Sequence, residues 1–271
     1  MLFHKLLSAS FFAAFLLSLV STVTYAAGPV PLASHRAVYD LSLKELIQST
    51  GISDVRGRIV MEMENGCEGY ILNQRMLIEL ISDDGGAIVS DFHISTFENK
   101  SGDTMRFTMS SAINGKTVEK SSGIASKEGE EGVVRFSDEE GKELKLPKGV
   151  LFPTAHTLKI LQSAREGKNL VSAKVFDGNG QEGLQDSLTI IGKRNSATKN
   201  LPDDGKMQDM KHWPVRLTFF DLTKQQNEPD YEVALEMFEN GVASDLILKY
   251  QDFSLNGELV KLEFLKKGEC K

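Results

Sequence analysis

Most of this chain alternates apolar and polar residues with a period of two, and this alternation restricts the fold to a sheet. Ala37, Tyr39 and Leu41 fall on one face of a strand, while Arg36 and Asp40 fall on the other. Comparable runs follow almost to the end of the sequence. Strands with one apolar and one polar face are typical of antiparallel sheets that cover a core on one side. The pattern therefore predicts an all-β protein.

Asn-Gly pairs separate several of these runs, and this dipeptide is the leading signal for a type I′ hairpin. The pairs are Asn65-Gly66, Asn114-Gly115, Asn240-Gly241 and Asn256-Gly257. Asp84-Gly85-Gly86 and Asn179-Gly180 are looser versions of the same turn. Neighbouring runs are therefore expected to pair as a meander of about thirteen or fourteen strands, which must curl into a barrel or split into packed sheets.

One segment departs from the alternation. Residues 153–165 carry apolar side chains at helical spacing, Pro153 suits a first helical turn, and Gly167 suits the position just past the end. We expect one helix here, lying across the sheet or plugging one end of a barrel. The polar stretch from Lys193 to Lys211 predicts a long loop, and no domain boundary is evident.

The first 26 residues have the features of a cleaved secretory signal. Lys5 precedes an apolar run from Leu6 to Val20, and Thr24-Tyr25-Ala26 offers a small-residue cleavage site. We therefore predict a signal peptide over residues 1–26 and a single β domain over residues 27–271. No later apolar stretch approaches the roughly 20 residues that span a bilayer, so no transmembrane segment is expected after cleavage.

The charge balance limits the classes of partner. The chain has 38 acidic and 31 basic residues, a formal net charge of −7, and no basic run. An acidic chain of this kind is a poor candidate for binding nucleic acid or an anionic membrane surface.

The chain has two cysteines, Cys67 and Cys270. In an exported protein such a pair is expected to oxidise to one disulfide, which here would tie the last strand to an early one. The alternative of a redox-active pair lacks the short C-x-x-C spacing. A metal site is also disfavoured, because two distant cysteines and scattered histidines match no ligand spacing.

No motif predicts catalysis or a cofactor. Gly178–Gly183 spells G-x-G-x-x-G, but a strand pattern follows it instead of the helix that pyrophosphate binding requires. Asp91, His93 and Ser95 stand in line on one polar strand face, which indicates an exposed face instead of a converging triad. His156, at the start of the predicted helix, is interpreted as a capping or packing residue, with a functional role as the alternative. We expect no enzyme, no cofactor and no metal.

The apolar face of the predicted sheet is rich in methionine. Methionine packs adaptably and is common on promiscuous apolar surfaces. A curled sheet with such a face could enclose a lipid-sized cavity, or it could fill the space as an ordinary solid core. The candidate cavity-lining residues are Met61, Met63, Met105, Phe107 and Met109.

Two segments resemble a known family. Ala33–Leu41, with the sequence ASHRAVYDL, and Phe152–Thr157, with FPTAHT, are similar to segments of the cell-envelope-integrity family called EipB. Cys67 and Cys270 match the single disulfide of that family. The resemblance covers essentially the whole mature chain. It implies a periplasmic protein folded as a β-spiral, an incomplete antiparallel barrel of about fourteen strands with one helix.

The resemblance also implies a role in maintaining the envelope under stress, without catalysis. The family defines no catalytic or ligand-binding residues, so only the two cysteines carry over. Two hypotheses follow. In the first, the protein binds another envelope protein through a strand edge or the open rim. A helical-repeat protein is one possible type of partner. Alternatively, the protein carries a lipid or lipoprotein on its Met-rich face, as half-open periplasmic carriers do. An enzyme acting on envelope polymers has no support in the sequence.

Overall fold

The computed structural model describes residues 28, 30–47, 51–128, 131–137, 142–196, 201–203, 205–222 and 228–266, so the predicted signal peptide lies outside the described residues. The first half of the sheet contains β1 (His35–Leu46), β2 (Ile52–Asn65), β3 (Gly69–Ser82), β4 (Ala87–Asn99), β5 (Thr104–Ile113), β6 (Lys116–Glu128), β7 (Glu131–Phe136) and β8 (Glu143–Leu146). After helix α1 (Pro153–Arg165) come β9 (Leu170–Phe176), a short 3-10 helix (Gly180–Gly183), β10 (Leu184–Ile191), β11 (His212–Asp221), β12 (Tyr231–Phe238), β13 (Ala243–Lys249) and β14 (Phe253–Phe264).

All fourteen strands belong to one sheet, and every neighbouring pair is antiparallel. The spatial order runs from β8 back to β1, continues with β14, and then runs back to β9. The first and last strands are therefore neighbours in the middle of the sheet. Its two edges are β8 and β9, which the α1 segment connects.

The sheet is curled so far that its edges nearly meet. Leu151, five residues after β8 ends, forms a parallel bridge with Val175 on β9. Its N–H donates to the carbonyl of Lys174 at 2.8 Å, and its carbonyl accepts from the N–H of Phe176 at 3.0 Å. Five residues reach at most about 17 Å, whereas a flat sheet of this size would separate its edges by about 60 Å. The all-β, spiral-like incomplete barrel with one helix is confirmed.

The register identifies the inner face of the sheet. Ala37 and Tyr39 of β1 are buried. Across the neighbouring strands, the residues in line with Ala37 are Met61 on β2, Gln74 on β3 and Ile94 on β4. Apolar residues of this face form three core clusters. In one of them α1 packs against the inner face of β9 to β12, through contacts that include Ile160, Leu161, Ala164, Val171, Val215 and Trp213.

Helix α1 has the predicted bounds, Pro153–Arg165, with Pro153 in its first turn. Gly167 follows the helix with a φ of 75°, which explains why glycine suits that position. Phe152 occupies the N-cap and provides no side-chain acceptor. The carboxylate of Glu98, on β4, takes that role by accepting hydrogen bonds from the first turn.

The predicted turns are confirmed at three of the four Asn-Gly pairs. Asn114 and Gly115, with φ values of 51° and 77°, alone connect β5 to β6. The other two turns connect β2 to β3 and β12 to β13. Asn179-Gly180 lies in the β9–β10 connection, where the chain enters the short 3-10 helix.

The turn predicted at Asn256-Gly257 is wrong, because both residues lie inside β14. Gly257 pairs with Leu41 on one side and Leu246 on the other. A Cβ at position 257 would stand 2.9 Å from the Cβ of Leu246, so this glycine permits a close crossing of side chains. The actual reversal occurs at residues 250–252.

Candidate functional site

The structure separates the five predicted cavity residues into different surroundings. Met61 and Met63 line a cavity of about 90 Å³ beside the first turn of α1, together with His35 and Leu72. Ligand pockets for small molecules usually measure about 300–1,000 Å³. This cavity is therefore too small to hold an acyl chain without rearrangement.

Met105 and Phe107 lie in a closed core cluster and are 0% and 3% exposed. The ring of Phe107 meets the rings of Phe136 and Phe176 edge to face, with centroids 6.0 and 5.4 Å apart. Met109 is also buried, next to the backbone of the β9–β10 connection. No single described cavity contains all five residues. Met105 and Phe107 are packed in solid core, whereas Met109 is among the residues that line a cleft of about 620 Å³ across β2 to β5.

A different part of the inner face is open. Ile88 and Ile113 are 52% and 41% exposed, although the register places both on the same face as buried Ile78. Phe92 and Ile94 lie further along this face, half-buried and outside the three core clusters. We name Ile88, Phe92, Ile94 and Ile113 the rim strip. It is an apolar surface inside the curl of the sheet that the described residues leave partly uncovered.

The outer face carries a second apolar surface at the β9 edge. Leu170, Leu188 and Ile190 are 58%, 37% and 51% exposed. Leu170 lies directly opposite Ile190, and Leu188 lies opposite Ser172. We name Leu170, Leu188 and Ile190 the edge patch. The sequence did contain a signal for it, since β10 ends with apolar residues on both of its faces.

The polar residues beneath α1 do not form a catalytic site. His156 is buried, and its Nε2 lies 3.4 Å from the Oγ of Ser187. Burial lowers the pKa of His156 to about 4, so the ring is neutral at physiological pH. Within the described residues no ion pair or hydrogen bond joins His156 to a carboxylate that would orient it. The His156 ring also packs edge-on to Phe219, which supports the packing interpretation.

Two further polar groups, Tyr231 and Asp177, are only partly exposed. The hydroxyl of Tyr231 donates to the Oε1 of Gln185 at 3.2 Å. Burial raises the pKa of Asp177 to about 6, while the hydrogen bond that its carboxylate accepts from the N–H of Asn179 at 2.8 Å acts in the opposite direction. The first bond joins β12 to β10, and the second orders the β9–β10 connection. None of these groups lines the cavities described within residues 28–266.

Asp91, His93 and Ser95 lie on the outer face of β4, as their spacing predicts. Asp91 accepts two hydrogen bonds from Arg75, at 3.0 and 2.7 Å, and lies 3.2 Å from the Nε2 of His93. The hydroxyl of Ser95 instead donates to Asn73 at 2.6 Å. Ser95 thus has a partner on another strand, and the three side chains do not converge.

Cys67 lies in the β2–β3 turn, where its sulfur is in a disulfide. Cys270 lies outside the described residues, so the pairing of these two cysteines stays a prediction. In the described part of the chain, no group of three His, Cys, Asp or Glu side chains is arranged to hold a metal ion. Nor does any helix there have the length and apolar character that crossing a membrane requires.

Comparison with known proteins identifies the family. A family model described as EipB-like matches residues 26–266. The chain belongs to the EipB-like family. A relative of this EipB-like protein is the cell envelope integrity protein EipB of Brucella abortus (strain 2308), which is 33% identical over 253 residues. The alignment covers 91% of this chain and 89% of the relative.

A solved structure gives the same fold. The EipB-like protein matches a β-barrel-like protein of a domain of unknown function from Brucella abortus with a TM-score of 0.79 and 31% identity. The match covers 88% of this chain and all of that one. Neither relative is named as an enzyme, and the first is named for its role in the envelope.

Proposed function

We propose that this protein is a non-enzymatic periplasmic protein that supports cell envelope integrity by binding another envelope protein. The relative named for envelope integrity supports the role, and the edge patch supports the binding mode. Contiguous exposed apolar patches on a protein surface often mark protein interfaces. The edge patch is therefore the observation on which the proposal depends.

The partner would contact side chains of the outer face instead of adding a strand to the sheet. At the β9 edge, Leu151 already bonds the backbone of Lys174 and Phe176, and the Nζ of Lys159 donates to the carbonyl of Ser172 at 3.1 Å. At the other edge, β8 has four residues and offers few backbone bonds. Strand addition is thus disfavoured at both edges.

The patch has the layout of a small interface. Its apolar residues adjoin a polar border in which the Nζ of Lys174 lies 3.4 Å from a carboxylate oxygen of Asp186. An apolar centre with a polar rim is the usual anatomy of such contacts. Helical-repeat proteins, one of the partner types consistent with the family resemblance, present long concave surfaces that would fit a curved sheet.

The test combines a crosslink with a phenotype. A photoreactive amino acid at Leu188 should capture one defined envelope protein in cells, whereas the same probe at Val118 should not. Leu170→Glu with Ile190→Glu should abolish both the crosslink and complementation of a deletion strain under envelope stress. Val118→Glu is the matched control, because Val118 is also 58% exposed but lies on β6. Full complementation by the double variant would overturn the proposal.

The rim strip favours a second function, carriage of a lipid or lipoprotein. Exposed isoleucines inside a curled sheet would be covered by an acyl chain. Native mass spectrometry of the mature protein, purified from periplasm without detergent, tests this function. A reproducible additional mass of lipid size that disappears in Ile88→Asp would support carriage. A bare mass for the wild-type protein would contradict it.

A further inference from the structure

A groove of about 800 Å³ lies where the C-terminal end of α1 meets the loop that connects β10 to β11. Its walls come from five segments of the chain, and three of these segments contribute cationic side chains. The floor contains the buried apolar residues Ala164, Ile191 and Trp213. The basic residues that line the groove are Arg165, Lys168, Lys193, Arg194 and Lys211.

The charge of this groove is opposite to that of the protein. The chain has a net charge of −7, yet Glu239 is the only carboxylate among the residues that line the groove. Glu166 is adjacent and pairs with Lys168 at 2.7 Å, so it compensates one of the cations. Clefts that concentrate one sign of charge focus the electric field and attract counter-ions. The groove should therefore attract anions to an acidic protein.

Three of the cations have no partner of their own. Within the described residues, Lys193, Arg194 and Lys211 form no ion pair and no side-chain hydrogen bond with protein groups. Arg165 differs, because its guanidinium donates to the carbonyl of Gly28 at 2.9 Å. The groove thus combines an anchored arginine with three cations that have no ion-pair partner in the part of the chain that the structure describes.

Backbone hydrogen bonds hold the two basic segments together. Asn195 and His212 exchange N–H to carbonyl bonds of 2.8 and 3.0 Å, and the N–H of Gly192 donates to Pro214 at 2.8 Å. These bonds flank Lys193 and Arg194, and Lys211 precedes His212 directly, with its carbonyl accepting from the N–H of Glu239 at 2.9 Å. The three side chains therefore start from fixed backbone positions, which reduces the entropy lost when they bind a common ligand.

We propose that this groove is a binding site for a phosphate-bearing anion. Arginine offers two parallel donors to phosphate oxygens, and lysine adds point charges, so this mixture matches phosphate chemistry. The volume is in the range of small-molecule sites and admits a glycerophosphate headgroup as well as free phosphate. The proposal does not depend on the edge patch or on the rim strip.

Two probes distinguish the source of the phosphate. Inorganic phosphate is titrated by calorimetry, and vesicles of phosphatidylglycerol with phosphatidylcholine are compared with pure phosphatidylcholine vesicles by co-sedimentation, both at low salt. Lys193→Glu with Arg194→Glu should weaken binding at least roughly tenfold. Lys116→Glu with Lys120→Glu makes the same charge change at exposed positions of β6 and should retain most of the affinity.

Each outcome decides the proposal. If the double variant loses binding to anionic vesicles but not to inorganic phosphate, the result supports a lipid headgroup as the ligand. If the double variant loses binding to both probes, the result supports phosphate recognition in general. Lys211→Glu, from the other segment, should reproduce the loss if the first variant unfolds, which its melting temperature reports. Equal weakening by the β6 control, or no binding of the wild-type protein to either probe, would overturn the site.

Discussion

Glu98 on β4 caps α1 by accepting a hydrogen bond from the backbone N–H of Thr154 at 2.8 Å. Its other oxygen accepts from Ala155 at 3.0 Å, and Glu98 is only 2% exposed. Burial raises the pKa of Glu98, and these two bonds oppose that shift. Because Phe152 offers no side-chain acceptor, the start of the helix depends on a residue that is distant in sequence.

Replacing Glu98 should therefore destabilise the helix and the core beneath it. Glu98→Ala leaves two buried N–H groups without partners, so we expect the free energy of unfolding to fall by about 2–4 kcal/mol. Urea denaturation measures this loss. Glu98→Gln, which keeps one acceptor oxygen, should lose less than Glu98→Ala. Because Glu98→Gln also keeps the side-chain volume, equal losses for both variants would show that neither the remaining oxygen nor packing supports the helix start.

His156 should make the protein sensitive to acid. Its pKa in the folded state is about 4, below the ordinary 6.5, so between these values the unfolded chain binds more protons than the folded one. The stability from neutral His156 is fully present above pH 6.5 and is lost as pH falls towards 4, to a total of about 3 kcal/mol. The test is to measure the free energy of unfolding of the wild-type protein and of His156→Gln at pH 7 and at pH 4.5. The variant should lose less stability between these two pH values, because it lacks the titrating imidazole.

Asp177 should have the opposite pH dependence. Its pKa rises from 3.8 to about 6 in the folded state, so the folded chain binds more protons in that interval and loses stability as pH rises through it. Asp177→Asn keeps an acceptor for Asn179 and removes the buried charge. We expect it to stabilise the protein by about 1–2 kcal/mol at pH 7 and by little below pH 4. Thermal unfolding of Asp177→Asn measures the gain, and Glu258→Gln, which changes an exposed carboxylate, is the control.

Gly257 should tolerate substitution less well than its neighbour Asn256. Gly257→Ala places a Cβ 2.9 Å from Leu246 and 3.2 Å from Leu41, so we expect a loss of about 1–3 kcal/mol. Asn256 is exposed, and Asn256→Ala should change stability by less than about 0.5 kcal/mol. If Asn256→Ala proved the more damaging change, the turn originally predicted from the sequence would regain support.

Pairing of Cys67 with Cys270 predicts a large effect of oxidation on stability. A link across about 200 residues is worth about 5 kcal/mol in the chain-entropy model, and measured gains are often smaller. Cys270→Ser should therefore lower the melting temperature markedly under oxidising conditions and have little effect in reductant. An unchanged melting temperature in both conditions would contradict a structural disulfide.

The sequence was sufficient to predict the all-β class, the approximate strand number and the bounds of α1, because each follows from local periodicity. The pairing of β1 with β14 could not be read in that way, since a strand's neighbours depend on how the sheet curls. Local signals also misled at Asn256-Gly257, where close packing against Leu246 outweighs the turn preference of the dipeptide.

The candidate surfaces were harder to predict than the fold. The methionines did mark the inner face, but whether Met61 or Met105 lines a cavity depends on what lies across the curl from each. The basic groove could not be predicted from the sequence for a different reason. Its cations come from residues 165–168, 193–194 and 211, so no basic run appears in the sequence and the net charge points to the opposite conclusion.

The pairing of His35 with Phe264 at the junction of β1 and β14 joins strands from opposite ends of the sheet-forming sequence. During synthesis the hairpins of the first half can form as they emerge, but one side of β1 has no neighbour until the final strand is made. The seam joins the two strands that are farthest apart in sequence, and non-local pairing of this kind favours slow folding. The strand order is also that of a simple meander whose chain begins at a different strand. If the two ends were joined and the chain were opened between β8 and β9, all fourteen strands would follow one another in spatial order.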